Sequence, residues 1–176
     1  MDKSLAYIIT LVVCILLQLG IAPVIAIMGA QPNFLLIPVL LIASRSGAGA
    51  GGAAGFLLGL LYDFAGDGVI GAMALSFTVI ALIVGLLSSA MDMSPVVGGI
   101  VGFAFGIVSS LFYGIVTVLG SSDAAGAFST MFTYALPSGI YTAVLAALAL
   151  LTMGLVIVNE APQMGSRFGN SGGMFK

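Results

Sequence analysis

Long apolar runs separated by short polar breaks are the feature that most restricts how this chain folds. The first run covers residues 5–28, close to the ~20 residues that an α-helix needs to cross the hydrocarbon core of a bilayer. Hydrophobic residues make up 61% of the 176 residues, charged residues make up 6%, and the mean hydropathy is +1.28. A water-soluble fold of this length has too little interior to bury so much apolar surface. The sequence therefore predicts an integral membrane protein.

Turn-forming and charged residues divide the apolar sequence into six predicted helices. They cover residues 5–28, 34–44, 47–64, 69–90, 96–119 and 128–158. The second helix is the shortest: at about 1.5 Å per residue it reaches roughly 20 Å, and we expect Pro38 to bend it. A short spanning helix and a re-entrant hairpin are both compatible with this length. The predicted fold class is an all-α bundle of six transmembrane helices.

Arg45 follows the short second helix and favours the spanning alternative. At the tip of a re-entrant hairpin its charge would lie near mid-membrane, at a cost of about 2.5–3.5 kcal/mol. With six spans, all four basic residues fall on one side: Lys3, Arg45, Arg167 and Lys176. By the positive-inside rule this side is the cytoplasm, where both termini are then expected. Asp92 is expected on the same side and Asp123 on the opposite one.

The two ends of the chain are interpreted separately from its apolar centre. The first run exceeds the ~7–15 residues of a secretory signal core, so we expect a retained helix, with a cleaved signal as the alternative. Residues 1–160 are therefore predicted to form one transmembrane domain. Residues 161–176 contain Gly, Ser, Asn and Pro162, and they are expected to form a disordered cytoplasmic tail.

Composition also limits the chemistry available to the chain. There is no His and one Cys, Cys14, so zinc, haem and Cys/His sites are not expected and no internal disulfide is possible. Tyr62 and Asp63 resemble half of an intramembrane aspartyl protease site, but that chemistry needs a second aspartate facing the first from another helix. Asp67 lies at the same helix end, and Asp92 is predicted on the other side of the membrane. We expect no catalytic residue, cofactor, metal or nucleic-acid partner.

Small residues recur at every fourth position on two of the predicted helices. In the third helix, Gly51, Gly55 and Gly59 form a line that continues to Asp63, here called the first glycine stripe. The fifth helix carries a second glycine stripe, formed by Gly98, Gly102, Gly106, Ser110 and Gly114. Such spacing lets two helix backbones approach closely within a membrane. Packing within the bundle and docking of a partner's transmembrane helix are the alternatives, and packing is favoured for the second stripe.

Asp63 requires a role of its own, because a carboxylate within the apolar slab is costly unless it is protonated, paired or near water. The favoured interpretation is a cap at the helix end, with hydrogen bonds donated by residues 67–69 or by the start of the next helix. Binding of a cation or proton together with Asp67 is one alternative. Contact with a partner protein is another.

The segment from residue 31 to residue 87 resembles a known family of membrane proteins. It contains, in order, Gln31-Pro32-Asn33-Phe34-Leu35-Leu36, Arg45, Gly55-Phe56-x-x-Gly59-Leu60-x-x-Asp63, Gly68, Gly71 and Ala74-Leu75. This order and spacing resemble MreD, the rod shape-determining membrane protein family, and the length and six-helix plan are similar too. The chain departs from that family in the Gly- and Ala-rich start of its third helix. The candidate partner-binding or structural residues are Pro32, Asn33, Arg45, Gly51, Gly55, Gly59 and Asp63.

The resemblance implies a non-enzymatic scaffold in the cell-wall elongation machinery of bacteria. MreD-like proteins lie in the lipid bilayer of the inner membrane, bind MreC, and link it to MreB, RodA and a class B penicillin-binding transpeptidase. Their fold is similar to that of the substrate-binding subunits of energy-coupling factor transporters. The alternative function is therefore such a subunit, which captures a vitamin or metal. Its polar outward cavity has as candidate lining residues Asn33, Tyr62, Asp63, Asp67, Tyr134 and Tyr141.

Overall fold

Helices account for the regular structure of the described residues. The structure, a computed structural model, describes residues 3–27, 30–66, 69–91, 94–120 and 131–159, together with residues 126 and 129. Numbered in chain order, the helices are α1 Lys3–Leu16, α2 Leu36–Ala65, α3 Ala72–Ala90, α4 Pro95–Gly120 and α5 Leu136–Asn159. A π-helical turn at Leu17–Ile21 continues α1, and another at Met131–Ala135 precedes α5. The described part of the chain is all-helical and contains no β-strand.

Apolar side chains cover the outside of these helices as well as their inside. Leu16, Leu57 and Leu86 are 63%, 64% and 65% exposed. Leucines exposed in this way are unfavourable in water and favourable against lipid chains. Among the described residues, three helices are long and apolar enough to cross a membrane: Leu36–Ala65, Ala72–Ala90 and Pro95–Val116. Shorter apolar helices lie at Ile8–Ile21 and Leu136–Thr152. The chain is therefore a helical membrane protein.

A sharp turn at Gly47 divides α2 into two arms, residues 36–46 and 48–65. Gly47 has φ 81° and ψ −179°, far from helical values and in a region that glycine adopts most readily. A Cβ added to Gly51 would lie 2.6 Å from the Cα of Ala43. In a continuous helix, residues eight apart are separated by about 12 Å along the axis. The chain therefore reverses at Gly47 and the two arms pack against each other.

Both ends of α2 lie beside the start of α3, so α2 is a helical hairpin. Asn33, just before α2, donates a hydrogen bond from its side-chain Nδ2 to the Sδ of Met73 at 3.7 Å. Asp63, near the end of α2, accepts one from the backbone N–H of Met73 at 3.0 Å. Gly47 lies instead near the other end of α3, where a Cβ added to Gly85 would be 2.7 Å from its carbonyl carbon. The two arms correspond to the second and third helices expected from the sequence.

Proline and glycine account for the places where the helix boundaries differ from the predicted ones. Pro38 falls in the first turn of α2, where an α-helix makes no use of the backbone N–H, so the expected bend at Pro38 is wrong and the break lies at Gly47. The first helical segment ends at Ile21, earlier than predicted, because Pro23 has no N–H with which to continue the ladder. Gly71, in a left-handed conformation, delays the start of α3.

The described helices pack as two pairs. Helix α2 packs along α3, helix α4 packs along α5, and contacts between α3 and α4 join the pairs. Helix α1 contacts α2. The largest buried side chains come mainly from the first pair and include Leu36, Leu40, Phe77, Ile80 and Val84. The apolar core therefore lies chiefly between the α2 hairpin and α3.

Candidate functional site

A buried polar contact joins the end of α2 to the start of α3. Asp63 is 3% exposed, and its carboxylate accepts hydrogen bonds from the backbone N–H groups of Gly71, Met73 and Ala74 at 2.9, 3.0 and 3.1 Å. N–H groups in the first turn of a helix have no partner within the helix. Gly71, the N-cap residue, has no side chain with which to bind them. Asp63 therefore caps α3 from eight positions upstream, and the start of the next helix is one of the two donor regions expected from the sequence.

Asn33 connects the same region to α5. Its backbone N–H donates to the Oγ1 of Thr142 at 2.9 Å, and its side-chain oxygen accepts the N–H of Leu35 at 3.2 Å. The next residue, Phe34, donates its N–H to the Oε1 of Gln18 at 2.7 Å. Asn33 is 5% exposed and Thr142 is fully buried. The loop before α2 is therefore held by side chains from the π-helical turn after α1 and from α5.

Further hydrogen bonds tie this loop and the two helix pairs together. Pro32 is fully buried, and the hydroxyl of Ser138 on α5 donates to the carbonyl of Gln31. The hydroxyl of Ser76 on α3 donates to the carbonyl of Ser109 on α4 at 3.1 Å. Among the described residues, every buried side-chain nitrogen and oxygen atom has a hydrogen-bond partner. The buried polar groups are thus used in holding the helices together.

Four of these polar side chains were missed in the sequence: Gln18, Ser76, Ser138 and Thr142. With Asn33 and Asp63 they form what we call the polar junction. The signal that identifies them is a polar residue inside an apolar segment, which is costly in lipid unless it is hydrogen-bonded. Gln18 also lies in a π-helical turn, and such turns are frequent at functional sites.

The first glycine stripe packs inside the bundle. A Cβ added to Gly55 would lie 2.6 Å from the carbonyl oxygen of Phe77, and one added to Gly59 would lie 2.4 Å from the Cα of Ala74. Gly51 is equally close to the first arm of α2. The stripe therefore marks close backbone contacts of the second arm, with α3 at Gly55 and Gly59 and with the first arm at Gly51. This contact favours the packing alternative over partner docking, because α3 already covers the stripe.

The second glycine stripe has the same role between α4 and α5. A Cβ added to Gly106 would lie 2.4 Å from the Cα of Ala143, and one added to Gly102 would lie 3.0 Å from the carbonyl carbon of Ala146. These contacts agree with the packing that the sequence favoured for this helix. Each helix pair is thus built on a line of glycines that brings two backbones together.

Arg45 lies at the end of the bundle opposite the polar junction, beside the Gly47 turn. Its side chain is exposed. It lines a cavity of about 290 Å³ together with Leu40, Leu41, Ser44, Val84, Ser94, Pro95, Gly98, Val101 and Leu150. Because Ser94 precedes α4, the Gly47 turn and the connection from α3 to α4 lie at the same end of the bundle.

The described side chains that the sequence singled out for possible chemistry lie in packing contacts. No three His, Cys, Asp or Glu side chains cluster among them. Tyr62 packs edge-on against Tyr113 with ring centroids 6.4 Å apart, and Cys14 is 5% exposed. Several interpreted residues lie outside the described ones: Asp67, Asp92, Asp123, Arg167, Lys176, the side chains of Lys3 and Tyr134, and residues 160–176. The interpretations of these residues stay predictions.

Fold and site together define a class: a small helical membrane protein whose buried polar groups and glycine stripes pack its own helices together. The chain belongs to the family of the rod shape-determining protein MreD, whose family model matches residues 2–158. This match confirms the resemblance drawn from residues 31–87 and extends it over most of the chain. The family is described as one of rod shape-determining proteins. Comparisons with curated proteins and with solved structures gave no significant match.

Proposed function

We propose that the protein is a membrane scaffold of the bacterial cell-wall elongation machinery. In this proposal it spans the inner membrane six times, with both termini in the cytoplasm. It binds MreC and links it to the peptidoglycan synthases, RodA and a class B penicillin-binding transpeptidase, and to MreB. The observation that carries the proposal is membership of the MreD family over residues 2–158.

The outward faces of the helices supply the surface for partner helices in this proposal. Leu57 and Phe64, on the second arm of α2, are 64% and 66% exposed. They lie about half a helical turn away from Gly55 and Gly59, since each residue advances by about 100°. The first glycine stripe faces α3 and these side chains face outward. We therefore place partner contacts on outward apolar faces and not on the stripe.

A substrate-binding subunit of an energy-coupling factor transporter is the alternative function. Such a subunit would need Asn33, Tyr62 and Asp63 to line an open cavity. Asn33 and Asp63 are instead buried and hydrogen-bonded within the chain. Tyr62 packs against Tyr113. These contacts support the scaffold over the transporter subunit.

Purification of the affinity-tagged chain from bacterial membranes in mild detergent, followed by mass spectrometry, tests the proposal. We expect MreC to co-purify in amounts comparable to the chain, with RodA and a class B transpeptidase in smaller amounts. The two candidate functions predict different partners. Recovery of an ATPase and a coupling subunit without MreC would reject the scaffold in favour of the transporter.

Cross-linking from single introduced cysteines locates the partner surface. The variant Cys14→Ala removes the one cysteine of the chain and provides the background. We expect cross-links to MreC from at least one outward position among Leu16, Leu57 and Leu86. Leu58, adjacent to Leu57 but 8% exposed, is the matched buried control and should give none. Cross-links from Leu58 with none from the outward positions would overturn this placement of the partner.

A further inference from the structure

The cavity beside Arg45 has an apolar interior and a polar rim. Its volume is about 290 Å³. The interior is lined by Leu40, Leu41, Val84, Val101 and Leu150. The rim is formed by Ser44, Arg45, Ser94, Pro95 and Gly98. Because the side chains of Arg45 and Ser94 are exposed, the cavity opens at the surface at this end of the bundle.

The walls of the cavity belong to tightly packed parts of the molecule. Leu40 and Val84 are 1% and 0% exposed and are members of the central core. Leu150 and Val101 pack with the same core from α5 and α4. The cavity is therefore formed by helices that already hold one another in place. Such a preformed apolar pocket with a few polar groups at its mouth is typical of a small-molecule or lipid site.

Two positive features meet at the rim. The guanidinium of Arg45 is permanently charged, and its planar array of N–H donors matches the oxygens of a phosphate in pairs. Helix α4 begins at Pro95, and the start of this 26-residue helix carries a partial positive charge. The Ser94 hydroxyl accepts the N–H of Val97 at 3.3 Å, and its own O–H is a further donor.

We propose that this cavity binds an anionic phospholipid, with the phosphate at Arg45 and Ser94 and part of an acyl chain along Leu41, Val101 and Leu150. The apolar interior gives a free phosphate nothing to bind, whereas it matches a lipid chain. The inference needs no partner protein and is independent of the scaffold function.

Lipid binding is measured by titrating the detergent-purified, delipidated chain and following bound lipid by native mass spectrometry. Four ligands show whether binding depends on the headgroup charge, the phosphate or the acyl chains: phosphatidylglycerol, phosphatidylcholine with the same chains, diacylglycerol and inorganic phosphate. We expect phosphatidylglycerol to bind most tightly. Diacylglycerol lacks the phosphate and inorganic phosphate lacks the chain, so both should bind at least about tenfold more weakly.

Two variants test the two parts of the cavity. Arg45→Gln removes the charge and should weaken phosphatidylglycerol binding about tenfold or more, while Arg45→Lys keeps the charge without the paired donors and should weaken it less. Val101→Phe places bulk in the apolar interior and should weaken binding to a similar degree. Ile100→Phe is the matched control, because Ile100 is 64% exposed and does not line the cavity. It distinguishes the cavity from lipid held loosely on the outer surface.

Each outcome of these experiments either supports the lipid site or overturns it. Weaker binding by Arg45→Gln and Val101→Phe, with Arg45→Lys intermediate and Ile100→Phe close to the unmodified chain, supports the site. Unchanged phosphatidylglycerol binding by Arg45→Gln overturns it, and this exposed substitution is not expected to impair folding. Equal binding of inorganic phosphate overturns the assignment to a lipid. Folding of each variant is checked by the temperature at which the buried Cys14 becomes reactive toward a thiol dye.

Discussion

Asp63 illustrates how a carboxylate is accommodated in a chain that carries almost no charge. An isolated aspartate at the centre of a membrane helix costs about 2.5–3.5 kcal/mol on insertion scales. Here the carboxylate lies at a helix end and accepts hydrogen bonds from three backbone N–H groups that have no helical partner. The carboxylate and the N–H groups thus supply each other's missing hydrogen-bond partners. Asp63 therefore acts as the cap of α3, a role usually taken by a residue directly before the helix.

Replacement of Asp63 should destabilise the chain in proportion to the acceptors removed. We expect Asp63→Ala, which leaves buried N–H groups without an acceptor, to lower the free energy of unfolding by about 2 kcal/mol or more. Asp63→Asn keeps one oxygen and should cost less. The measurement is thermal unfolding in detergent, followed by dye labelling of Cys14. Ser94→Ala, which removes the exposed cap of α4, is the control and should cost about 0.5–1 kcal/mol. Equal effects at both positions would refute the buried-cap role.

At the scale of single residues, the sequence pattern predicted the role of Asp63, whose signal is local. It did not identify Gln18 and Thr142, whose hydrogen-bond partners are distant in the sequence. Asp63 is an acid at the end of an apolar run, so a capping role was predictable. Its donors depend on the Gly71 turn, which the sequence did not specify. The bond from Asn33 to Thr142 joins residues 109 positions apart. Such a contact depends on how α5 packs against the α2 hairpin, and no local pattern contains that information.

At the scale of the helices, glycines determine which helix surfaces pack closely against each other. Lipid is as apolar as leucine, so burial of apolar surface gives little drive for helix association, and close backbone packing becomes important. Gly55 and Gly59 allow α2 to lie against the backbone of α3, and Gly102 and Gly106 do the same for α4 against α5. The Gly- and Ala-rich start of the third predicted helix, which differs from the expected family pattern, supplies part of this close contact.

A single methyl group should therefore separate α2 from α3. In Gly59→Ala the new Cβ would lie 2.4 Å from the Cα of Ala74, a backbone atom that cannot move independently. We expect a loss of about 1–3 kcal/mol in the free energy of unfolding. Gly49→Ala is the matched control on the same arm, because no atom lies within 4 Å of its added Cβ. It should be neutral or stabilising, since alanine favours helix. A neutral Gly59→Ala would contradict the packing described for the stripe.

The elements themselves were largely predictable, and their breaks less so. Apolar length identified the helical segments, and the charge of Arg45 gave the division of α2 into two arms. The residue that makes the turn was not identified, because Arg45 and Pro38 are more conspicuous in the sequence than Gly47. The turn depends on a positive φ that glycine adopts most readily. Several glycines lie in that stretch, and nothing in the sequence distinguishes Gly47 from the others.

At the scale of the whole molecule, the connections between the described helices lie at two opposite ends of the bundle. The Gly47 turn and the connection from α3 to α4 share the end that carries Arg45. The loop before α2 and the connection from α2 to α3 share the end that carries the polar junction. A six-span arrangement with the basic residues on one side requires this sorting. In the topology that we propose, the positive-inside rule assigns the Arg45 end to the cytoplasm.

Labelling of single cysteines in intact cells tests this orientation. In the Cys14→Ala background, we expect Gly66→Cys and Ile70→Cys, exposed beside the polar junction, to react with a membrane-impermeant thiol reagent. Ser46→Cys and Ser94→Cys, exposed at the Arg45 end, should react only after the cells are permeabilised. The same rule predicts external labelling at Asp123→Cys and internal labelling at Asp92→Cys. Each end contributes two described positions, so a single inaccessible site cannot imitate the pattern. External labelling of the Arg45 end with protection of the other would reverse the proposed topology and place the candidate lipid site in the outer leaflet.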